Sequence, residues 1–447
     1  MKATRKLRRH QQPQTFREGV RQFLTPQVYK QVRQAAPRSR KCPRWDLQPL
    51  VLVLLCMTWA AGDSSAEQFE TARGFYVSCY AGRRRPGKTL AGFQKALARV
   101  STRQLRALAQ GVREQIVQRY GERLLFHGWV PLGCDGSRGE CPRSAELKAR
   151  LGPAGKEDSA PTVWLTAFVH LGLGLLWSWR LGKGNADERA HLRQMLPLLP
   201  PQALIVADAA YMGYELARAV LKAERQFLWR LSSRVDLYMS GQTPLEDWEE
   251  GEVYYWPQYA QQKGLPPVIG RLIRIRGHES QRDVWLLTSV LDPAGLSCET
   301  AGLFYRWRWR NEGLFRIYKR TVQKFKFSSR TVALVHREAE VSLLALQVVL
   351  AHADLALRPS RSEGEVVVSP RKVQLEIRRE LTPRGHGRLA PYSRRLEGCR
   401  VLPRVQHSPK TRRPWPRRKP HEPPKPPKLH TLTARQNAML QQHFEAG

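Results

Sequence analysis

The sequence predicts an α/β protein in which short strands alternate with helices, preceded by a helical region and followed by a helical segment and a basic tail. Three observations carry this. From about residue 14 to 120, apolar residues recur at three- and four-residue spacing, as in Phe93 to Val100 and Leu105 to Tyr120, the period of helices that pack on one face. From about residue 124 the texture becomes strand-length apolar runs, in the order three strands, helix, strand, helix, strand. After about residue 359 periodicity is lost, and Arg404 to Lys428 is dominated by Arg, Lys and Pro, the composition of a disordered tail.

These changes of texture divide the 447 residues into a helical region (1–120), a core (121–330), a helical segment (331–358) and a tail (359–447). Lys and Arg number 75 against 38 Asp and Glu, a formal charge of +37 that implies a polyanionic partner. The seven cysteines show neither C-x-x-C metal spacing nor a dense disulfide pattern, which fits a reducing cytoplasm. No charge-then-apolar order of a signal peptide opens the chain.

Within the helical region, Leu50 to Ala61 is too short to cross a bilayer and ends at Gly62-Asp63-Ser64-Ser65, a stop followed by an N-cap, so a core helix is expected. The loop Gly82-Arg83-Arg84-Arg85-Pro86-Gly87-Lys88 is its densest cationic patch, suited to a phosphate backbone, although a solvated loop would read the same way.

In the core, Leu124 to Cys134 is a strand that runs into Asp135-Gly136-Ser137. Val163 to Trp179 lacks formal charge, but Gly172 and Gly174 split it into two strand-length runs, which predicts a buried hairpin and no membrane span. A helix from about Ala186 to Leu198, capped by Asn185 and opening on Asp187-Glu188-Arg189, precedes the buried strand Ala203 to Ala207, which ends on Asp208. Ala209 to Val220 reads as a helix and Gln226 to Leu231 as a strand. Residues of about 233–282, rich in aromatic residues among Gly, Pro and Gln and ending in the alternating strand Val268 to Ile275, read as a β-rich insertion apart from the central sheet, to which Val284 to Val290 returns.

The chemistry concentrates between Tyr305 and Lys319. At about 100° per residue, Arg308, Glu312 and Lys319 fall about −60°, −20° and −40° from Tyr305, so one helix would carry all four on one stripe. A carboxylate on such a cationic face suits a phosphodiester beside a divalent metal, although Glu312 also has Arg308 and Arg316 four residues away, as in an ordinary helix ion pair. Asp135, Asp208 and Glu312 together offer hard oxygen ligands for two Mg²⁺ or Mn²⁺ ions, which activate an attacking oxygen and stabilise a leaving one. Beyond Lys319, Ala339 to Leu357 reads as a buried helix.

Tyr305, Arg308, Glu312 and Lys319 fit Tyr-x2-Arg-x3-Glu-x6-Lys without a gap, and on them the chain resembles DDE transposases of the insertion-sequence-four family over roughly residues 120–350. Asp135 in Asp-Gly-Ser and Asp208 in Ala-Asp-Ala-Ala-Tyr-Met-Gly-Tyr-Glu-Leu resemble the family's two aspartate motifs. The resemblance implies a ribonuclease-H-like core with the β-rich insertion before the glutamate, and cut-and-paste transposition, often through a hairpinned end. It further implies transposon-end and target DNA as partners, a homodimer in a synaptic complex, metal ligation by Asp135, Asp208 and Glu312, and DNA contacts from Tyr305, Arg308 and Lys319. The family uses an insertion-domain tryptophan to hold a flipped base; Trp248, Trp256 and Trp285 compete for that role, and core packing competes for each. An inactive transposase-derived DNA-binding protein and a metal-dependent nuclease without strand transfer are the alternative functions.

Overall fold

A computed structural model describes residues 15–35, 44–82, 84–153, 158–241, 243–277, 283–324, 326–357, 367–382, 390–401 and 426–445. Among the described residues six helices come first: α1 (Phe16–Arg21), α2 (Pro26–Gln34), α3 (Leu47–Trp59), α4 (Ser65–Cys79), α5 (Leu90–Ala98) and α6 (Thr102–Tyr120). Their starts are fixed locally. Ser64 caps α4 and Ser101 caps α6 with reciprocal bonds to Glu67 and Gln104, each satisfying backbone donors that a helix cannot satisfy itself.

The core alternates β1 (Val130–Glu140), α7 (Ala145–Leu151), β2 (Thr162–His170), β3 (Leu175–Lys183), α8 (Glu188–Met195), β4 (Ala203–Ala207), α9 (Tyr214–Lys222) and β5 (Gln226–Arg230). β1, β2 and β3 form an antiparallel meander, whereas β4 pairs parallel to β1 and β5 parallel to β4. The order β5-β4-β1-β2-β3 is the ribonuclease-H-like arrangement. The expected hairpin is β2–β3, closed at Gly174, whose φ of 70° suits glycine. α8 is capped by Asp187, whose side chain takes the Arg189 amide, rather than by the expected Asn185. Residues 209–211 form a separate 3₁₀ turn, so the helix expected from Ala209 begins at Tyr214.

After β5 come β6 (Asp236–Met239), β7 (Glu250–Tyr255), α10 (Gln258–Gln262), β8 (Val268–Ile275) and β9 (Val284–Thr288). These strands are not apart from the central sheet. β9 pairs with β5, and β8, β7 and β6 follow, so the β-rich segment extends one ten-stranded sheet. Sequence alternation gives the strands but not their partners, and an antiparallel β9 at the open edge of β5 supplies the continuity.

α11 (Cys298–Trp307) and α12 (Trp309–Arg320) lead to α13 (Val332–Leu357), the 26-residue helix that ties the parts together. Its Ala345 carbonyl accepts from Trp59 of α3, its Ala351 carbonyl from Tyr120 of α6, and its Gln347 amide donates to the Leu176 and Trp177 carbonyls of β3. One hydrophobic cluster therefore runs from the first helices to the sheet.

The expectation of a largely disordered tail over 359–447 is corrected in part. β10 (Val367–Val368), α14 (Pro370–Leu381), α15 (Tyr392–Glu397) and β11 (Arg400–Val401) fold against α13, and β12 (Lys428–Thr431) joins the sheet beside β6 ahead of α16 (Ala434–Glu445). Basic composition hid short amphipathic stretches such as Val373, Ile377 and Leu381, which are buried. Arg395 is held between Glu376 and Glu380. Residues 402–425, the most basic part of the tail, lie outside the described residues. Among the described residues no helix is long and apolar enough to cross a membrane.

Candidate active site

The strand register builds the first half of the site. β1 runs parallel to β4 with Leu132 beside Ile205 and Gly133 beside Val206, and continuing that register two residues sets Asp135 beside Asp208. Each carboxylate is steadied by backbone: Asp135 Oδ1 accepts from the Gly136 amide at 2.8 Å, and Asp208 Oδ1 from the Ala210 amide at 2.9 Å. Burial pushes the Asp135 carboxyl up to about 6; the Gly136 amide opposes this, Asp208 and Glu188 add to it by repulsion, and Arg308 offsets part of it.

Glu188 is a third carboxylate here, absent from the sequence prediction, where it was only the acidic start of a helix. A Cβ at residue 136 would overlap its carboxylate, so Gly136 leaves the space that Glu188 occupies. Its carboxyl is raised by burial, lowered by the Tyr211 hydroxyl and raised again by Asp208. The signal was the glycine after Asp135, which alone could mean a simple turn.

The second half is cationic. The single helix expected from Tyr305 to Lys319 is two, broken at Arg308. The Arg308 amide bonds to Tyr305 O at 3.1 Å and the Asn311 amide to Arg308 O at 3.0 Å, three-residue spacings that tighten the joint and shift the stripe's phase. Arg308 stands over the rings of Tyr305 (5.5 Å) and Trp309 (5.1 Å), its Nε is buried without a hydrogen-bond partner, and its charge acts on Asp135. Arg310 anchors the joint to the β2–β3 turn through the Leu171 and Gly172 carbonyls. At the far end of α12, Lys319 lies with Ser137 and Arg138 of β1 around a narrow cleft, and burial lowers its ammonium pKa.

Glu312 lies between these cations on the first turn of α12, exposed, and pairs with neither Arg308 nor Arg316. Its carboxylate is not gathered with the two aspartates: among the described residues no three His, Cys, Asp or Glu side chains are placed to hold one ion. Behind it, Asn311 is wholly buried against Gly133, with neither side-chain amide atom hydrogen-bonded among the described residues. The oxygen donors of Asp135 and Asp208 suit a hard divalent cation, whose charge would relieve their repulsion.

The three candidate tryptophans are buried, at 6% exposure for Trp248, 0% for Trp256 and 7% for Trp285. The first two donate to the Leu272 and Leu265 carbonyls. By contrast, Trp309 is 61% exposed beside Arg308, a residue that sequence reasoning passed over. Farther away, the loop before α5 is held by an Arg73 bond to Gly87 O and bounds a concave surface of about 680 Å³ with Arg44, Arg84, Arg85, Lys88, Lys95 and Arg99 on its lining; Arg83 lies outside the described residues.

No curated protein matches the chain. A cryo-EM structure of a piggyBac transposase synaptic complex with hairpin DNA is similar at a TM-score of 0.40 and 12% identity, covering 81% of this chain and 79% of that one. Residues 140–348, just under half of the chain, match the family described as the transposase DDE domain, a stretch that holds Asp208 and Tyr305 to Lys319 and begins five residues after Asp135; the match supports a DDE transposase.

Proposed function

We propose that the protein is a DNA transposase that cleaves phosphodiester bonds at the ends of an element and joins the freed 3′-hydroxyl to target DNA. The observation that carries this is Glu312, an exposed carboxylate with no ion pair among the described residues, set among Arg308, Arg316 and Lys319 on α12, the helix that packs on β1, whose register with β4 brings Asp135 beside Asp208. Surface glutamates in a basic stretch ordinarily pair with their neighbours; this one is left available. Asp135, Asp208 and Glu312 would hold two Mg²⁺ ions, with Mn²⁺ as a substitute, and such ions polarise the phosphoryl oxygens and lower the pKa of water. Arg308 and Lys319 grip phosphate on either side of the cut, Tyr305 orients Arg308 through its ring face, and Trp309 offers a stacking surface for a base. The concave surface before α5 takes the duplex backbone farther from the cut. On this reading the enzyme works as a homodimer on element-end and target DNA in a bacterial-type cytoplasm.

The outward Glu312 also favours a second reading, a transposase-derived protein that binds DNA without cutting it. Incubating the protein with a labelled element end, a target plasmid and Mg²⁺ separates the possibilities. End cleavage with joined product is expected, cleavage without joining points to a nuclease, and binding without cleavage supports the second reading.

A further inference from the structure

A cavity of about 470 Å³ opens between α1, α2, α3 and α4, far in sequence from the acidic site and within the range of about 300–1,000 Å³ usual for small-molecule sites. Its walls are aromatic, with Phe16, Tyr29, Trp59, Phe75, Tyr76 and Tyr80, and its lining contains three arginines and no carboxylate. Arg17 lies 4.4 Å and Arg21 5.5 Å from the centre of the Tyr80 ring, so two guanidinium groups lie against one ring of the lining. Arg33 supplies a third charge from α2. None of the three forms an ion pair with a described carboxylate.

Two buried polar atoms of the lining residues have no hydrogen-bond partner among the described residues, the Tyr29 hydroxyl and Arg17 Nε. Tyr29 is 5% exposed, and a hydroxyl buried to that degree without a partner carries a desolvation penalty that a polar group reaching it on binding would remove. Flat apolar walls, clustered cations and an unused hydroxyl together describe the complement of a planar ring that carries an anion.

We infer that this cavity is a nucleotide site, with the base between the Tyr29, Phe75 and Tyr76 rings and the phosphate on Arg17, Arg21 and Arg33. The choice of a nucleotide over another aromatic anion rests on the reading of the chain as a DNA-acting enzyme. One chemistry has two sources, a free mononucleotide or a nucleotide extruded from DNA.

Titration calorimetry of the full chain without divalent metal tests the site independently of cleavage, so either reading can fail alone. The probes are dAMP, dTMP, inorganic phosphate, a paired duplex and the same duplex with one unpaired nucleotide. Nucleotide binding is expected to fall more than tenfold in R17Q/R21Q and about threefold to tenfold in Tyr29→Phe, which removes only the hydroxyl. The charge-matched control R103Q/K222Q should leave it unchanged. A thermal melt of each variant separates lost binding from lost folding, and Tyr29→Phe decides alone if the arginine variant fails to fold. Tight mononucleotide binding assigns the free source. A preference for the unpaired nucleotide that vanishes in Tyr29→Phe assigns the DNA source. Absence of both, or nucleotide binding no tighter than phosphate and indifferent to these variants, overturns the site.

Discussion

The two halves of the candidate active site differ in how they are held. Asp135 and Asp208 sit on adjacent parallel strands, half-buried, each carboxylate fixed by a backbone amide. Glu312 stands exposed on a helix whose start is a tightened joint at Arg308. The comparison teaches a division of labour. A sheet can place two like charges side by side because ladder hydrogen bonds fix the register, whereas Glu312, on a helix beside a joint, is fixed by no such ladder.

The largest expected effect tests the fixed half. Asp135→Asn or Asp208→Asn should lower strand cleavage by about 10³-fold or more, the scale of several kcal/mol of lost charge stabilisation, while DNA affinity stays within a few-fold because the cationic surface is untouched. Retained cleavage in either variant would detach that aspartate from the site.

A second prediction concerns the cost of holding the pair without metal. Burial raises the Asp135 carboxyl from the ordinary value of 3.8 to about 6, so the folded protein holds an extra proton between those values. Stability should therefore fall as pH rises from about 4 to about 6, and the penalty, about 2–3 kcal/mol, is fully present above that window. Asp135→Asn should melt higher than the parent in chelator at pH 7 and lose the advantage below pH 4. An unchanged melting temperature at pH 7 would mean that burying the Asp135 carboxylate carries no such penalty.

Trp309 probes the exposed half. Trp309→Ala should leave the melting temperature nearly unchanged and weaken element-end binding by about 1–3 kcal/mol, the usual contribution of one stacked base. Equal affinity of the variant for element ends would leave the joint without a base contact.

Much of this arrangement was legible in the residues. The β2–β3 hairpin follows from Gly172 and Gly174 dividing a chargeless run, and the nearness of Asp135 to Asp208 follows from two strand ends in one sheet. Other parts depended on contacts that periodicity does not encode. The joint at Arg308 is a change of hydrogen-bond spacing within an unbroken helical pattern, so the single continuous helix expected to carry Tyr305, Arg308, Glu312 and Lys319 is instead two. Glu188 reaches the site only because α8 packs over Gly136, and the folding of α14 to α16 rests on a few apolar residues diluted by basic ones.

The smallest effect follows from that packing. Gly136→Ala intrudes on the Glu188 carboxylate, which is the end of a flexible side chain and can move aside. Stability should change by less than about 1 kcal/mol, and cleavage should fall only modestly. A loss as large as that of Asp135→Asn would place Glu188 among the groups essential to cleavage.

The most direct test is Glu312→Gln, which keeps size and hydrogen-bonding capacity and removes only the charge. Because Glu312 has no ion pair to lose among the described residues, the substitution should leave stability unchanged. Strand cleavage should be measured in Mg²⁺ and Mn²⁺ beside Arg308→Ala, for which a partial loss of about 10–100-fold is expected from one charged hydrogen bond. Near elimination of cleavage by Glu312→Gln in both metals, with DNA binding intact, is the predicted result. Near-normal cleavage would contradict the account, leaving the fixed pair of aspartates without the third carboxylate that the site is proposed to recruit.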